Sequence, residues 1–150
     1  MEQSPLGRVW GWVVGVVAAL LLLAAPALAE QVQIPARLQA ALAAKVAAYD
    51  THFAARANGN ALVLIVVAAG KAESERFGEE IRAELALQPK IGGQNHTEEI
   101  VRFSTAAELA KACRERRAAM VYISPALSAE VPQIANALSG VDVLSVGALA

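Results

Sequence analysis

Residues 61–68 read Ala-Leu-Val-Leu-Ile-Val-Val-Ala, an unbroken apolar run between the turn signal Asn58-Gly59-Asn60 and Gly70. A strand with one face in water alternates apolar and polar side chains, whereas a continuous run rich in β-branched residues needs apolar cover on both faces. A parallel sheet held between two layers of helices supplies that cover, so this segment constrains the fold more than any other. The flanking sequence has the helices. After Pro35, the residues Leu38, Ala41, Leu42, Val46, Tyr49 and Phe53 recur at helical spacing and predict an amphipathic helix with this stripe inward. After Gly70, Phe77, Ile81 and Leu85 recur every fourth residue, with Glu73, Glu75, Arg76, Glu79, Glu80 and Arg82 around them.

The alternation continues to the end of the sequence. Gln88–Thr97 holds a proline, two glycines and an asparagine and reads as a loop, followed by a short strand at Glu98–Phe103. Thr105 with Glu108 forms a capping box before Ala106, Leu109, Ala110 and Cys113 at i, i+3, i+4 and i+7, which turns the thiol inward. Ala118–Ser124 makes a third strand. Ser128 can cap a helix carrying Val131, Ile134, Ala135 and Leu138, and Val141–Val146 makes a fourth strand. Helix and strand in this order predict an α/β fold in three layers: a mostly parallel four-stranded sheet of flavodoxin-like order 2-1-3-4, with helices on both faces. In that order the fourth strand lies at an edge. Its Val141, Val143, Leu144 and Val146 are apolar, with no Lys, Pro or following helix to protect them, which predicts a homodimer through this edge, a partner-dependent protein, or a shortened version of a longer protein with reduced stability.

Val9–Ala25 contains no charge; Arg8 precedes it, Pro26 follows, and Ala27-Leu28-Ala29 offers the small residues that signal peptidase requires. Residues 1–29 therefore read as a cleaved signal peptide and 30–150 as a single exported domain, placed in a bacterial periplasm. The competing reading is an uncleaved inner-membrane signal anchor, because about 20 apolar residues can span a bilayer.

Composition narrows the chemistry. With 13 Lys and Arg against 14 Asp and Glu, the net charge of −1 leaves no basic field for nucleic acid. One Cys and 2 His exclude an internal disulfide and multi-thiolate metal sites, and no metal or cofactor is expected.

In an open sheet of this kind ligands bind beyond the carboxyl ends of the strands. Gly70-Lys71 lacks the upstream glycine of a phosphate loop and has Ala72 where a hydroxyl should follow. Ser104-Thr105 reads as helix capping. Ser124 ends the third strand without a base in reach, since His52 follows the first helix and His96 falls in a polar loop where it should be exposed. Arg114, Arg116 and Arg117 suit a helix C-terminus. No catalytic residue is assigned, and the chain reads as a non-enzyme.

This arrangement resembles the YfiR-like periplasmic proteins. The resemblance rests on the exported start, the helix Leu38-Gln39-Ala40-Ala41-Leu42-Ala43-Ala44-Lys45-Val46 running to Tyr49, the strand Leu62-Val63-Leu64-Ile65-Val66-Val67 and the Phe77-Gly78 helix. Lys90-Ile91-Gly92-Gly93, Glu108-Leu109 and Val121-Tyr122-Ile123-Ser124 extend it, so that it covers most of 35–146. It implies a non-enzymatic regulator that holds a membrane-bound diguanylate cyclase inactive from the periplasmic side, lowering cyclic di-GMP and biofilm formation. Family members commonly carry paired cysteines, where this chain has Cys113 alone. Their aromatic patch at the end of the first helix corresponds here to Tyr49-Asp50-Thr51-His52-Phe53, which makes Tyr49 and Phe53 candidate partner-binding residues beside Val141 and Val143 of the edge strand. The alternative function is a small-solute-binding module resembling one lobe of a periplasmic substrate-binding protein.

Overall fold

A computed structural model describes residues 34–148. The segment 1–29, expected to be a cleaved signal peptide or alternatively a signal anchor, lies outside the described residues. Helix α1 (Ala36–Tyr49) and the short α2 (Phe53–Ala57) lead into β1 (Asn60–Ala68), and α3 (Ala72–Ala86), β2 (Asn95–Phe103), α4 (Ala106–Arg116) and β3 (Met120–Ile123) follow. A 3-10 segment (Pro125–Glu130) then runs into α5 (Val131–Leu138), and β4 (Leu144–Gly147) completes the sheet. The strands lie in the order β2-β1-β3-β4, and every pairing is parallel. The α/β class, the layer arrangement and the strand order match those expected. Among the described residues, no helix is long and apolar enough to cross a membrane.

β1 is the centre of both apolar layers. Val63, Ile65 and Val67 point to one side, into a cluster with Phe53, Ile81, Leu85 and Ile91, whereas Leu64 and Val66 meet Leu109, Cys113, Ile134 and Leu138 on the other. Val63 through Val67 are all fully out of water. Each such side chain contributes roughly 1.5–3 kcal/mol by burial, which explains why this run could not have been an exposed strand. Gly78 on α3 lets that helix close onto the sheet, because a Cβ there would stand 2.5 Å from Val67 Cγ1. Thr105 caps α4 as expected, its hydroxyl accepting from Glu108 N at 3.2 Å, while the Glu108 carboxylate turns to the Ser104 hydroxyl.

The structure corrects the first helix in two ways. The side chains turned inward are Gln39, Ala40, Ala43 and Ala47, and the stripe expected to face the core lies outside: Leu38 is 51% exposed, Leu42 43%, Val46 45% and Tyr49 77%. Alanines admit close approach of α1 to the sheet and to α3, and Gln39 is drawn inward by a buried bond from Tyr122 Oη to its Oε1 at 2.8 Å. Its Nε2 donates to Ile34 O, so the buried amide is satisfied at both ends. The helix also stops before Phe53. His52 N donates to Asp50 Oδ1 at 2.9 Å, an Asx-type turn that breaks the helix at Asp50 and redirects the chain into α2. Phe53 is consequently fully buried, with its ring in the space a Cβ on Gly92 would take; Gly92 holds φ +55, a left-handed geometry suited to glycine.

Three boundaries also move. β2 starts at Asn95, so His96 and Thr97 belong to a strand. Ser128 caps nothing; Ser124 Oγ accepts from Ala126 N and opens the 3-10 segment instead. β4 starts at Leu144, so Val141 and Val143 precede it.

Candidate functional site

The carboxyl ends of the strands are filled by their own side chains. Ser74 Oγ accepts from Ala68 N at 2.9 Å and lies 2.8 Å from Ser124 Oγ, with both serines buried. The two hydroxyls tie the start of α3 to the end of β3 across the sheet. Ser124 thus takes part in three-way packing of backbone and hydroxyl, and no histidine stands beside it: His52 is at the surface next to α2, and His96 sits on β2.

His96 is not exposed as expected. Its side chain retains 7% of its surface, with Nδ1 against the Glu98 carboxylate and Nε2 2.8 Å from Gln88 O, which accepts. Residues 96 and 98 share one face of the strand, a spacing of two that a strand assignment would have revealed and a loop assignment concealed. Cys113 is buried as expected, and burial pushes its thiol pKa up, away from the reactive thiolate.

At the amino ends of the strands lies a recess of about 290 Å³ lined by Arg56, Cys113, Arg114, Arg117, Ala118, Val141 and Asp142. Arg56 had no signal in the sequence beyond being an arginine near a turn. Its side chain is 10% exposed, Nη2 donates to Asp50 Oδ2 at 2.7 Å, Nε donates to Asp142 Oδ1 at 2.5 Å, and Nη1 is a buried donor with no acceptor. The Arg56 hydrogen bond holds the Asp50 carboxyl below its ordinary pKa. Arg56 therefore joins the α1–α2 turn to the segment preceding β4.

A second surface of interest is apolar and lies along α1 and β4. Gln39 marks the side of α1 that faces β3, and Leu42 and Val46 follow it at i+3 and i+7 on the same side but further out. Leu144, Val146 and Ala148 are half-buried against the cluster that includes Ala40, Ala43 and Ala47. Among the described residues no helix covers β4 on this side. The result is an apolar corner with α1 as its wall and β4 as its floor. Of the partner-binding candidates, Tyr49 stands on this wall, Phe53 is inside the core and unavailable, and Val141 and Val143 are half-buried toward the opposite layer. The residues that sequence reasoning missed are Leu38, Leu42 and Val46, assigned to the core because helical periodicity is the same for a stripe facing in or out. The alanines at 40, 43 and 47 were the available signal: a helix with a small face and a large face can pack by either.

No family model matches the chain, and no curated protein matches it. Among solved structures, an ABC transporter substrate-binding protein from Desulfitobacterium hafniense in complex with Leu is similar over 73% of this chain, at 10% identity and a TM-score of 0.43. The match covers 31% of that protein, so the chain spans about a third of its length.

Proposed function

We propose that the chain is an exported regulatory protein that works by protein contact rather than by catalysis, using the corner between α1 and β4. The observation that carries this reading is the outward stripe of Leu38, Leu42, Val46 and Tyr49 beside the half-buried face of β4. Apolar side chains gathered on one exposed face of a folded domain mark an interaction surface. The strand ends, where a doubly wound sheet usually takes a ligand, are closed by Ser74 and Ser124. By its resemblance to YfiR-like proteins, the regulated target is a membrane-bound diguanylate cyclase with a periplasm-facing domain, and the output is cyclic di-GMP and biofilm formation.

The test is cellular cyclic di-GMP on overproduction of the chain. Wild type should lower it and Leu42→Glu should not, at equal levels of folded protein. Unchanged cyclic di-GMP with wild type removes the cyclase from the reading, and equal effects of wild type and Leu42→Glu remove the α1 surface.

A second reading, small-solute binding, is favoured by the recess around Arg56, whose lining holds three arginines and one aspartate. Its ligand would be a small anion at the amino ends of the strands. A thermal-shift series with carboxylates and phosphate, comparing wild type with Arg117→Gln, measures it, since a ligand bound to the native state raises the melting temperature by mass action.

A further inference from the structure

Resting on the protein-contact reading above, we propose that the contact this corner makes is with a second copy of this chain, the dimer being the form that regulates, through antiparallel pairing of the two β4 strands about a two-fold axis. The two edges of the sheet differ in the way that decides this. β2 carries His96, Glu98, Glu99 and Arg102, and ion pairs from Arg102 to Glu75 and from Arg116 to Glu99 cross it, so charge protects that edge. β4 reads Leu-Ser-Val-Gly and has neither charge nor proline. Leu144 N and Ala148 N bond to Ala119 O and Ile123 O of the β3 side. Alternation along the strand directs the amides of Ser145 and Gly147 away from β3, toward an edge that no strand among the described residues pairs with.

The same two-fold closes the apolar wall. It places both α1 helices on one face of a continuous eight-stranded sheet, with the stripes of Leu38, Leu42, Val46 and Tyr49 facing each other over the paired β4 strands. One operation thereby covers two features that are otherwise unrelated, the open backbone edge and the exposed stripe, as an isologous interface requires.

Charge fits this orientation. α1 runs against the strands, because Gln39 near its start bonds Tyr122 in β3 whereas its last turn leads through α2 to the start of β1. The two-fold reverses it, bringing Arg37 of one copy, which forms no ion pair among the described residues, to the end of the other copy where Asp142, one oxygen of which accepts from Arg56, is still 79% exposed. A parallel pairing of the same two edges would place the α1 helices on opposite faces of the sheet and leave both stripes uncovered.

Sedimentation velocity of the full chain over roughly 1 µM to 1 mM, a range that brackets ordinary self-association, tests the proposal together with amide exchange. A dimer is expected, with slow exchange at Ser145 and Gly147. Leu42→Glu, at a position already exposed, and Val146→Lys should each weaken association at least about tenfold and release those amides, while Thr97→Lys on the opposite edge should change neither. Leu42→Glu keeps the test valid if Val146→Lys fails to fold. A monomer at every concentration with fast exchange at Ser145 and Gly147 overturns the dimer, and so does a dimer that survives Leu42→Glu unchanged. The protein-contact reading fails separately: if Leu42→Glu dissociates the dimer yet leaves the cyclic di-GMP response intact, the dimer stands and the regulatory surface does not.

Discussion

His96 and Glu98 face each other almost out of water, with the second ring nitrogen of His96 on a backbone carbonyl. A buried carboxylate left without its donor costs more than the pair contributes, because the desolvation is no longer compensated. His96→Phe should therefore destabilise by about 1–3 kcal/mol, and His96→Phe with Glu98→Leu should recover most of the loss. Urea unfolding of the two variants and wild type measures both numbers. Tyr122 gives a pH dependence at the alkaline end. Burial pushes its phenol up to about 12 from 10.0, so the folded state holds its proton where the unfolded state releases it. That contribution is fully present below pH 10.0 and is lost as pH rises toward 12. Tyr122→Phe should start less stable, since Gln39 Oε1 loses its donor, and should show a flatter alkaline limb in thermal melts. None of this was legible residue by residue. His96 looked like a loop residue because Gly92, Gly93 and Asn95 surround it, and the partner of Tyr122 lies 83 positions away.

At the scale of elements, the alternation of helix and strand was legible almost throughout, because amphipathic spacing and unbroken apolar runs differ in period. The orientation of α1 was not. Its large apolar side chains outnumber its polar ones, and only the sheet decides between the two faces. A direct consequence is an inverted pattern of tolerance. Leu42→Glu should change unfolding free energy by less than about 0.5 kcal/mol in the dissociated protein, as exposed positions do, whereas Ala43→Leu should cost about 1–3 kcal/mol by overpacking against the sheet. Chemical denaturation of the pair at low protein concentration tests it; the reverse order would return the leucine stripe to the core. The break at Asp50 belongs to the same scale. A helix expected to run through Phe53 ends early because an aspartate side chain satisfies the His52 amide, a competition between local hydrogen bond and helix that apolar periodicity does not register.

For the whole molecule, Arg56 is the link between the two ends of the described chain, holding Asp50 beside α1 and Asp142 ahead of β4. Asp50 contributes stability that is present above its ordinary 3.8 and is lost as pH falls through the lower folded-state value set by Arg56. Arg56→Met should therefore flatten the acid limb of the stability profile and loosen the approach to β4, seen as faster amide exchange at Leu144 while β1 remains protected. An acid limb identical to wild type would mean that Asp50 keeps its depressed value through the His52 amide alone.

The strand order also fixes a sequence of events in time. β1 emerges early from the ribosome, but its neighbours are β2, at residues 95–103, and β3, at residues 120–123, so its two sides are closed by segments made progressively later. Until Met120–Ile123 has been synthesised, Val63–Val66 have one open edge and half a core, and the pair of Arg56 with Asp142, 86 positions apart, does not exist. A nascent chain of this topology stays incomplete, and accessible to whatever escorts it, until β3 and the segment ahead of β4 have left the tunnel.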